Sequence, residues 1–416
     1  MKKVLSFLLV LVLIIPVVFA GAEAEKKAAG PIKLGLMFGL TGTASPIGPP
    51  QLDGAKLAIK EINAAGGIDF NGEKRLVEYI VRDDETKPDV AIRRFRALVN
   101  EDKVDAVVGQ TFASITGALN QEVKRTPVAY FPVNVVGLEL FRKSEISDYT
   151  FAVHGSAYSA GYASAVTVVK DLNKKDIVFF GPAYAFGQDQ WRGAQDAFKA
   201  MGITARYLES PVGTSDFTSY LTKIIDMKPE VVMLAHWGVD AINVLKQTYE
   251  TGLKQQTTVF FNWMTNAFGS GVPAEALEGV YSLMSWYYDL EGFKDSQIVA
   301  SSTAFADSFF NEYGYPPDPY SAMAYIGTKE ALRGLSLAGT NDPAAVAKAV
   351  LDNPEFDSMK GKGVWRVDRQ PTFAYNAFIV VGKGRAERED QLWDLVKVIG
   401  AFTGEDYLPA LDSLGY

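Results

Sequence analysis

Cysteine is absent from the 416 residues. The chain therefore has no disulfide framework, no thiolate nucleophile and no cysteine metal site. It also has no cysteine to carry the lipid that tethers an exported lipoprotein. Histidine is nearly absent: His154 and His236 are the whole imidazole inventory. They fall in different segments without HExxH or comparable spacing, which argues against a zinc site. His236 adjoins Trp237 and is a candidate to touch ligand, whereas His154 is read as a hydrogen-bonded hinge residue. A basic excess is missing too, with a net charge of −8 at pH 7, and this argues against nucleic acid as a partner. No GxSxG elbow and no P-loop occur. The neighbouring Asp83 and Asp84 point opposite ways in an extended stretch and cannot flank one bond, so they are read as solvated loop charge. No cofactor, metal or catalytic residue is expected.

What the chain does contain is ordinary globular material, 48% hydrophobic and 22% charged. Its length exceeds what one compact core usually holds and suggests two domains. Lys2 and Lys3 precede an apolar run from Val4 to Phe19, followed by Ala20, Gly21 and Ala22. This is the pattern of a cleaved export signal over residues 1–22. A retained anchor fits less well, because the run is at the short end for a membrane span. The mature protein is expected to be soluble in the periplasm or outside the cell.

Hydrophobic periodicity then alternates. A strand is predicted over 32–40. Leu52, Ala55, Ile59 and Ile62 place a helix over 49–64, with Pro49 and Pro50 in its first turn and Gly66-Gly67 past its end. Strands at 75–81, 104–108 and 128–131 interleave with helices at 89–100 and 114–124. Near 150–156 the pattern restarts. Helices at 158–172, 187–201, 217–226 and 240–251 alternate with strands at 176–180, 205–209, 231–235 and 258–261. An aromatic strand over 281–288, helices at 301–313, 321–337 and 342–351, and β-like stretches at 363–367 and 374–381 complete the chain. Such alternation implies parallel sheets with helices on both faces. The stretch 104–139 reads as strand, loop, helix, strand, loop. Both loops leave the carboxyl ends of strands, where open α/β sheets hold small ligands.

The segments GLTGTASPIG, INAAGGI, VVGQTFAS, GPAYAFGQDQWRGAQDAFKAMG and GTSDFTSYLTKIIDMKPEVVMLAHWGVDAINVLKQTYETGL resemble, in order, the type I periplasmic binding proteins. The nearest subgroup is the branched-chain amino-acid and amide binders of ABC importers. The resemblance implies an α/β fold of two doubly wound parallel-sheet lobes joined by three crossing strands. The first lobe would take 31–150 with 282–355, the second 151–281 with 356–416. It places Thr111, Ala113, Ser114, Val133, Asn134 and Val135 on the first-lobe wall of a ligand cleft. Tyr184, Phe186, Trp237, Asn262, Trp263 and Trp286 stand opposite. Ser114 has an alternative role as a helix cap, and each tryptophan an alternative role in a core. Val135 stands where the amino-acid binders have threonine, and Asn262-Trp263 where they have an acidic residue. Both departures argue against an α-amino acid.

The function implied is capture of a small polar organic solute, an amino acid, amide or similar, by a monomer that delivers it to an ABC importer permease. A sensory ligand-binding module and a secreted α/β hydrolase are the alternatives.

Overall fold

The computed structural model describes residues 30–405 and 407–416; the leader expected over 1–22 lies outside the described residues. The first part of the chain runs β1 (Ile32–Phe38), α1 (Gly48–Ala64), a hairpin of β2 (Ile68–Phe70) and β3 (Glu73–Arg75), β4 (Val77–Asp83), α2 (Pro88–Asn100), β5 (Ala106–Gly109), α3 (Ala113–Val123) and β6 (Ala129–Pro132). β4, β1, β5 and β6 lie side by side in that order, all parallel. Leu36 stands opposite Val81 on one side and Val108 on the other. Every residue of β5 and β6 is buried, as expected of strands covered on both faces.

The second part runs α4 (Ala157–Lys170), β7 (Ile177–Pro182), α5 (Ala185–Ala200), β8 (Arg206–Ser210), α6 (Thr218–Met227), β9 (Val231–Leu234), α7 (Val239–Glu250), β10 (Thr258–Phe261), the short α8 (Asn266–Ser270) and α9 (Ala274–Leu277), and β11 (Tyr281–Met284). The chain then returns to pack α10 (Ser296–Tyr313) and α11 (Pro319–Ala338) on α1. After α12 (Pro343–Asp352) it makes a small antiparallel sheet of β12 (Glu355–Ser358), β13 (Gly361–Trp365) and β14 (Pro371–Phe373). It ends on β15 (Ala377–Gly382) and β16 (Val396–Phe402). The second sheet has the order β16-β15-β11-β10-β9-β7-β8, parallel from β8 to β11 and antiparallel at the β15–β16 edge.

Each sheet has one place where the strand order reverses, between β1 and β5 in the first and between β7 and β9 in the second. Ligands bind outside the carboxyl ends of strands at such points. Three segments connect the two lobes, 151–156, 285–295 and 374–376. None is a regular strand; the first makes only isolated bridges, Tyr130 to Thr150 and Val136 to Ser156, at its borders.

Close packing fixes the helices that reach the cleft. α4 and α5 cross so tightly that a Cβ on Gly161 would overlap the carbonyl of Gln190, and one on Gly193 that of Tyr158. Only glycine allows two backbones that near.

Several elements depart from the sequence reading. The aromatic strand stops at Met284, because the chain must then leave the sheet. α10 begins at Ser296 rather than 301, where Asp295 accepts from the amides of Gln297 and Ile298. β16 and the β2–β3 hairpin carried no clear alternation. Asp84 is fully buried, not solvated. It accepts from the Thr86 amide, and Asp83 from those of Leu40 and Glu85, so the pair shapes the loops behind β1 and β4. β11 pairs with β10 in the second sheet. The β12–β14 sheet instead leans on the first lobe, where Trp365 sits edge-on to Phe131 and Phe151 and its indole N–H donates to Glu330.

Candidate functional site

The loop after β5 turns through Gly109 and Gln110, both at positive φ. The Gln110 side chain donates to Asn134 Oδ1 at 2.5 Å and to Thr116, and accepts from the Phe112 amide at 2.7 Å. Asn134 in turn donates to the Val135 carbonyl. Thr111 accepts from the Gly39 amide and donates to Gln51. These bonds bind the loops after β1, β5 and β6 into one rigid wall. They also occupy the side-chain groups of Thr111 and Asn134. Phe112 caps α3 without any side-chain bond, and Ser114 is the second residue of the helix, exposed. Ser114 is therefore not the cap. No side chain caps the first-turn amides of α3.

Across from this wall, α5 starts in the same uncapped way from Tyr184, whose ring stacks on Phe186 at 5.9 Å. Beyond β9, Trp237 precedes Gly238, which takes φ of 65° to start α7. Trp237 is half-buried and meets Phe112 of the first lobe edge-on at 5.5 Å. Its indole N–H reaches the Tyr320 hydroxyl at 3.4 Å. Tyr320 is buried at the start of α11, which Asp318 caps. Burial pushes the Asp318 carboxyl up to about 6.

Asp189 on α5 completes the closure. It is buried, accepts from the Leu138 amide at 3.1 Å, and pairs with Arg192. Arg192 also stands 3.5 Å from Glu139. A second-lobe helix is thus tied to the first-lobe loop after β6.

Between these walls lies a cavity of about 280 Å³, the size of a small organic solute. Its lining contains Thr111, Ala113, Ser114, Asn134, Val135, Tyr184, Phe186 and Trp237. The sequence had singled out all of these. Four other candidates lie elsewhere. Val133 is buried under α11, where a Cβ on Gly327 would strike it. Asn262 is buried and donates to Gln190. Trp263 lines a separate small chamber beside His154. Trp286 is wholly buried against Phe305 and donates to Ser302, so it is a core residue of the first lobe. His236 is also behind the wall, bonded to Ser210 and edge-on to Phe180 and Phe217. Burial pulls its pKa to about 3, which keeps it neutral.

The lining also includes Phe112, Gly137, Ala157, Ala185, Asp189 and Tyr320, which the sequence reading missed. Phe112 and Ala185 adjoin predicted residues and were within reach. Tyr320 lies far along the chain, and only its position at the start of a predicted helix hinted at it.

Electrostatics decide what the cavity prefers. First-turn residues of four helices border it: Ala113 and Ser114 of α3, Ala157 of α4, Ala185 and Phe186 of α5, and Tyr320 of α11. Helix N-termini carry positive potential; the Ala157 amide is taken by the Val136 carbonyl and the Tyr320 amide by Asp318, so α3 and α5 are the uncapped pair. Among the described residues no lysine, arginine or histidine lines the cavity, and the one carboxylate that does, Asp189, is already engaged. The rest of the lining is aromatic or small and apolar apart from Thr111, Ser114 and Asn134, and bonds within the wall already occupy the side chains of Thr111 and Asn134.

Two α/β lobes closing on a solute-sized cavity at paired switch points define the architecture of a solute-binding protein. Residues 31–385 match the profile of the periplasmic binding protein family, and the chain belongs to that family. It is a substrate-binding protein with the two-lobed fold of its class. "Leu/Ile/Val-binding protein homolog 8" of Brucella suis biovar 1 (strain 1330) is 24% identical over 82% of this chain and 86% of its own length. Among solved structures, an amino acid ABC transporter substrate-binding protein from Pseudomonas fluorescens Pf-5 superimposes with a TM-score of 0.81. It is 24% identical and covers 93% of this chain and 99% of its own. A solute-binding protein of an ABC transporter from R. palustris, in complex with benzoate, has a TM-score of 0.73 at 20% identity, over 90% and 98% of the two chains. Among the described residues, no helix is long and apolar enough to cross a membrane, and no group of three or more His, Asp or Glu is placed to hold a metal.

Proposed function

We propose that the protein captures a small organic carboxylate with an apolar body, an aromatic acid in preference to an α-amino acid, and hands it to an ABC importer permease. One observation carries this reading: uncapped helix N-termini from both lobes meet at a ring-lined cavity that, among the described residues, has no basic side chain. Backbone amides would hold the carboxylate, the hydroxyl of Ser114 would add a bond, and Tyr184, Phe186 and Trp237 would cover the apolar body. An ammonium would find no free carboxylate, because Asp189 already serves Leu138 and Arg192. Of the relatives, the solved structure that holds benzoate favours an aromatic acid, whereas the one named as a homologue of a Leu/Ile/Val-binding protein shares only the carboxylate and the apolar body with this reading.

The protein acts by binding and not by turnover, as a soluble monomer outside the cytoplasmic membrane after loss of its leader. The lobes are best drawn as 31–150 with 285–373 and 151–284 with 374–416. This moves the sequence-drawn boundaries to follow the pairing of β11 and the packing of Trp365. A thermal-shift panel of benzoate, leucine, acetamide and urea tests the ligand class. Stabilisation by benzoate above leucine, with none by the uncharged amides, is the expected order. Stabilisation by urea or acetamide alone would overturn it.

A further inference from the structure

Behind the ligand cavity, at the junction of the lobes, lies a second and much smaller chamber of about 20 Å³. Val135 is shared with the larger cavity; the polar lining includes His154, Ser156, Ser159, Trp263, Lys360 and Asn376. Nothing in the proposed solute binding uses these groups.

The chemistry of that lining is one-sided. Lys360 is 2% exposed, and its ammonium donates to the Asn376 carbonyl at 2.8 Å and lies over the Phe373 ring at 4.4 Å. That uses one of three protons. Among the described residues no acidic side chain pairs with it, and none lines the chamber. A buried ammonium without a counter-charge is a costly arrangement, and burial lowers the Lys360 pKa to about 7, so an anion beside it would favour the charged form. The indole N–H of Trp263 is buried and has no acceptor among the described residues. The capped N-terminus of α4 adds its positive end through Ser156 and Ser159, whose hydroxyls lie 3.0 Å apart. His154 adds no second positive charge, since burial and the neighbouring Lys360 hold it neutral, with a pKa near 3. The Asn376 side-chain oxygen is already committed, taking the Phe373 amide and the Tyr407 hydroxyl.

We propose that this chamber is a halide site, in which one chloride ion is held by the Lys360 ammonium and the Trp263 indole N–H. Size supports a monatomic occupant. The volume suits a single sphere little larger than a water molecule, and a carboxylate or phosphate is too large. Charge supports a monovalent one, because a single anion neutralises the one buried cation. The ion would join the first crossing segment, through His154 and Ser156, to the third, where Asn376 bonds Lys360. Halide would then tie the segments that connect the lobes, independently of whichever solute fills the larger cavity.

The test uses the full mature chain without organic ligand. Melting is compared in sodium chloride, bromide and gluconate at equal ionic strength, and crystals soaked in sodium bromide are measured at the bromine edge. The expected result is a melting temperature several degrees higher in chloride and bromide than in gluconate, with an anomalous peak beside Lys360. Trp263→Phe should fold and lose most of the halide dependence; Lys360→Met should lose all of it. Equal melting in all three salts, or density at the site without anomalous signal, as a water molecule would give, overturns the proposal. So does halide dependence that persists in both variants.

Discussion

Replacing Trp237 with alanine probes the ligand wall at the place where the lobes meet. The indole sits edge-on to Phe112 and Phe268 and borders the cavity on its remaining side. A tryptophan buries about 150–250 Å² when covered, and a closed ligand would cover roughly half of that here. At about 25 cal/mol per Å² the lost contact comes to about 2–3 kcal/mol, or a Kd weaker by about 30- to 150-fold. The fold should suffer less, because the residue follows a strand end and is only half-buried. Calorimetric titration with the tightest binder of the ligand panel reads the first effect, and melting of the ligand-free variant the second. Trp237→Phe should lie close to wild type, since the bond it loses, to Tyr320 at 3.4 Å, is long. A Kd for Trp237→Ala within twofold of wild type, in a folded variant, would refute the assignment of this wall.

Three further outcomes follow from other parts of the molecule. Gly161→Ala drives a methyl group into the carbonyl of Gln190, so it should destabilise the protein by about 3 kcal/mol or more, seen as a lower denaturant midpoint. Asp189→Ala removes the acceptor for Leu138 and the partner of Arg192; it should weaken ligand binding by about tenfold while calorimetry still shows a single site. The third concerns pH. The folded pKa of His236 is depressed by burial to about 3, below the unfolded value of about 6.5. Its contribution is therefore complete above pH 6.5 and is lost as pH falls, by about 2 kcal/mol at pH 5. His236→Gln should accordingly show a smaller drop in melting temperature between pH 7.5 and 5 than wild type; an equal drop would exclude this residue as a source.

How much of this was legible in the sequence depends on the range over which each feature is encoded. The alternation of buried strands such as AVVG in β5 with amphipathic helices is local, and it placed most elements of both sheets within two residues. The loops at Thr111–Ser114, Asn134-Val135, Tyr184–Phe186 and Trp237 were legible because they directly follow such strands. Tyr320 was not, because it reaches the cavity through the packing of α11 on α1, a contact between segments far apart in the chain. Trp286 and Trp263 were misplaced for the converse reason. A tryptophan after a strand looks the same in sequence whether the chain then bends toward the cleft or away from it. Trp286 bends away, into the core beside Phe305. Asp84 resembled a solvated charge because its burial depends on Thr86 and the neighbouring β1 loop, not on its own strand.

The central claim, that an organic carboxylate is held between the lobes by helix N-termini and rings, is tested most directly by a crystal structure of the protein with benzoate. The carboxylate should lie on the first-turn amides of α3 or α5, with its ring against Trp237. Benzoate bound outside the cavity, or with its carboxylate turned away from both helix starts, would contradict the account.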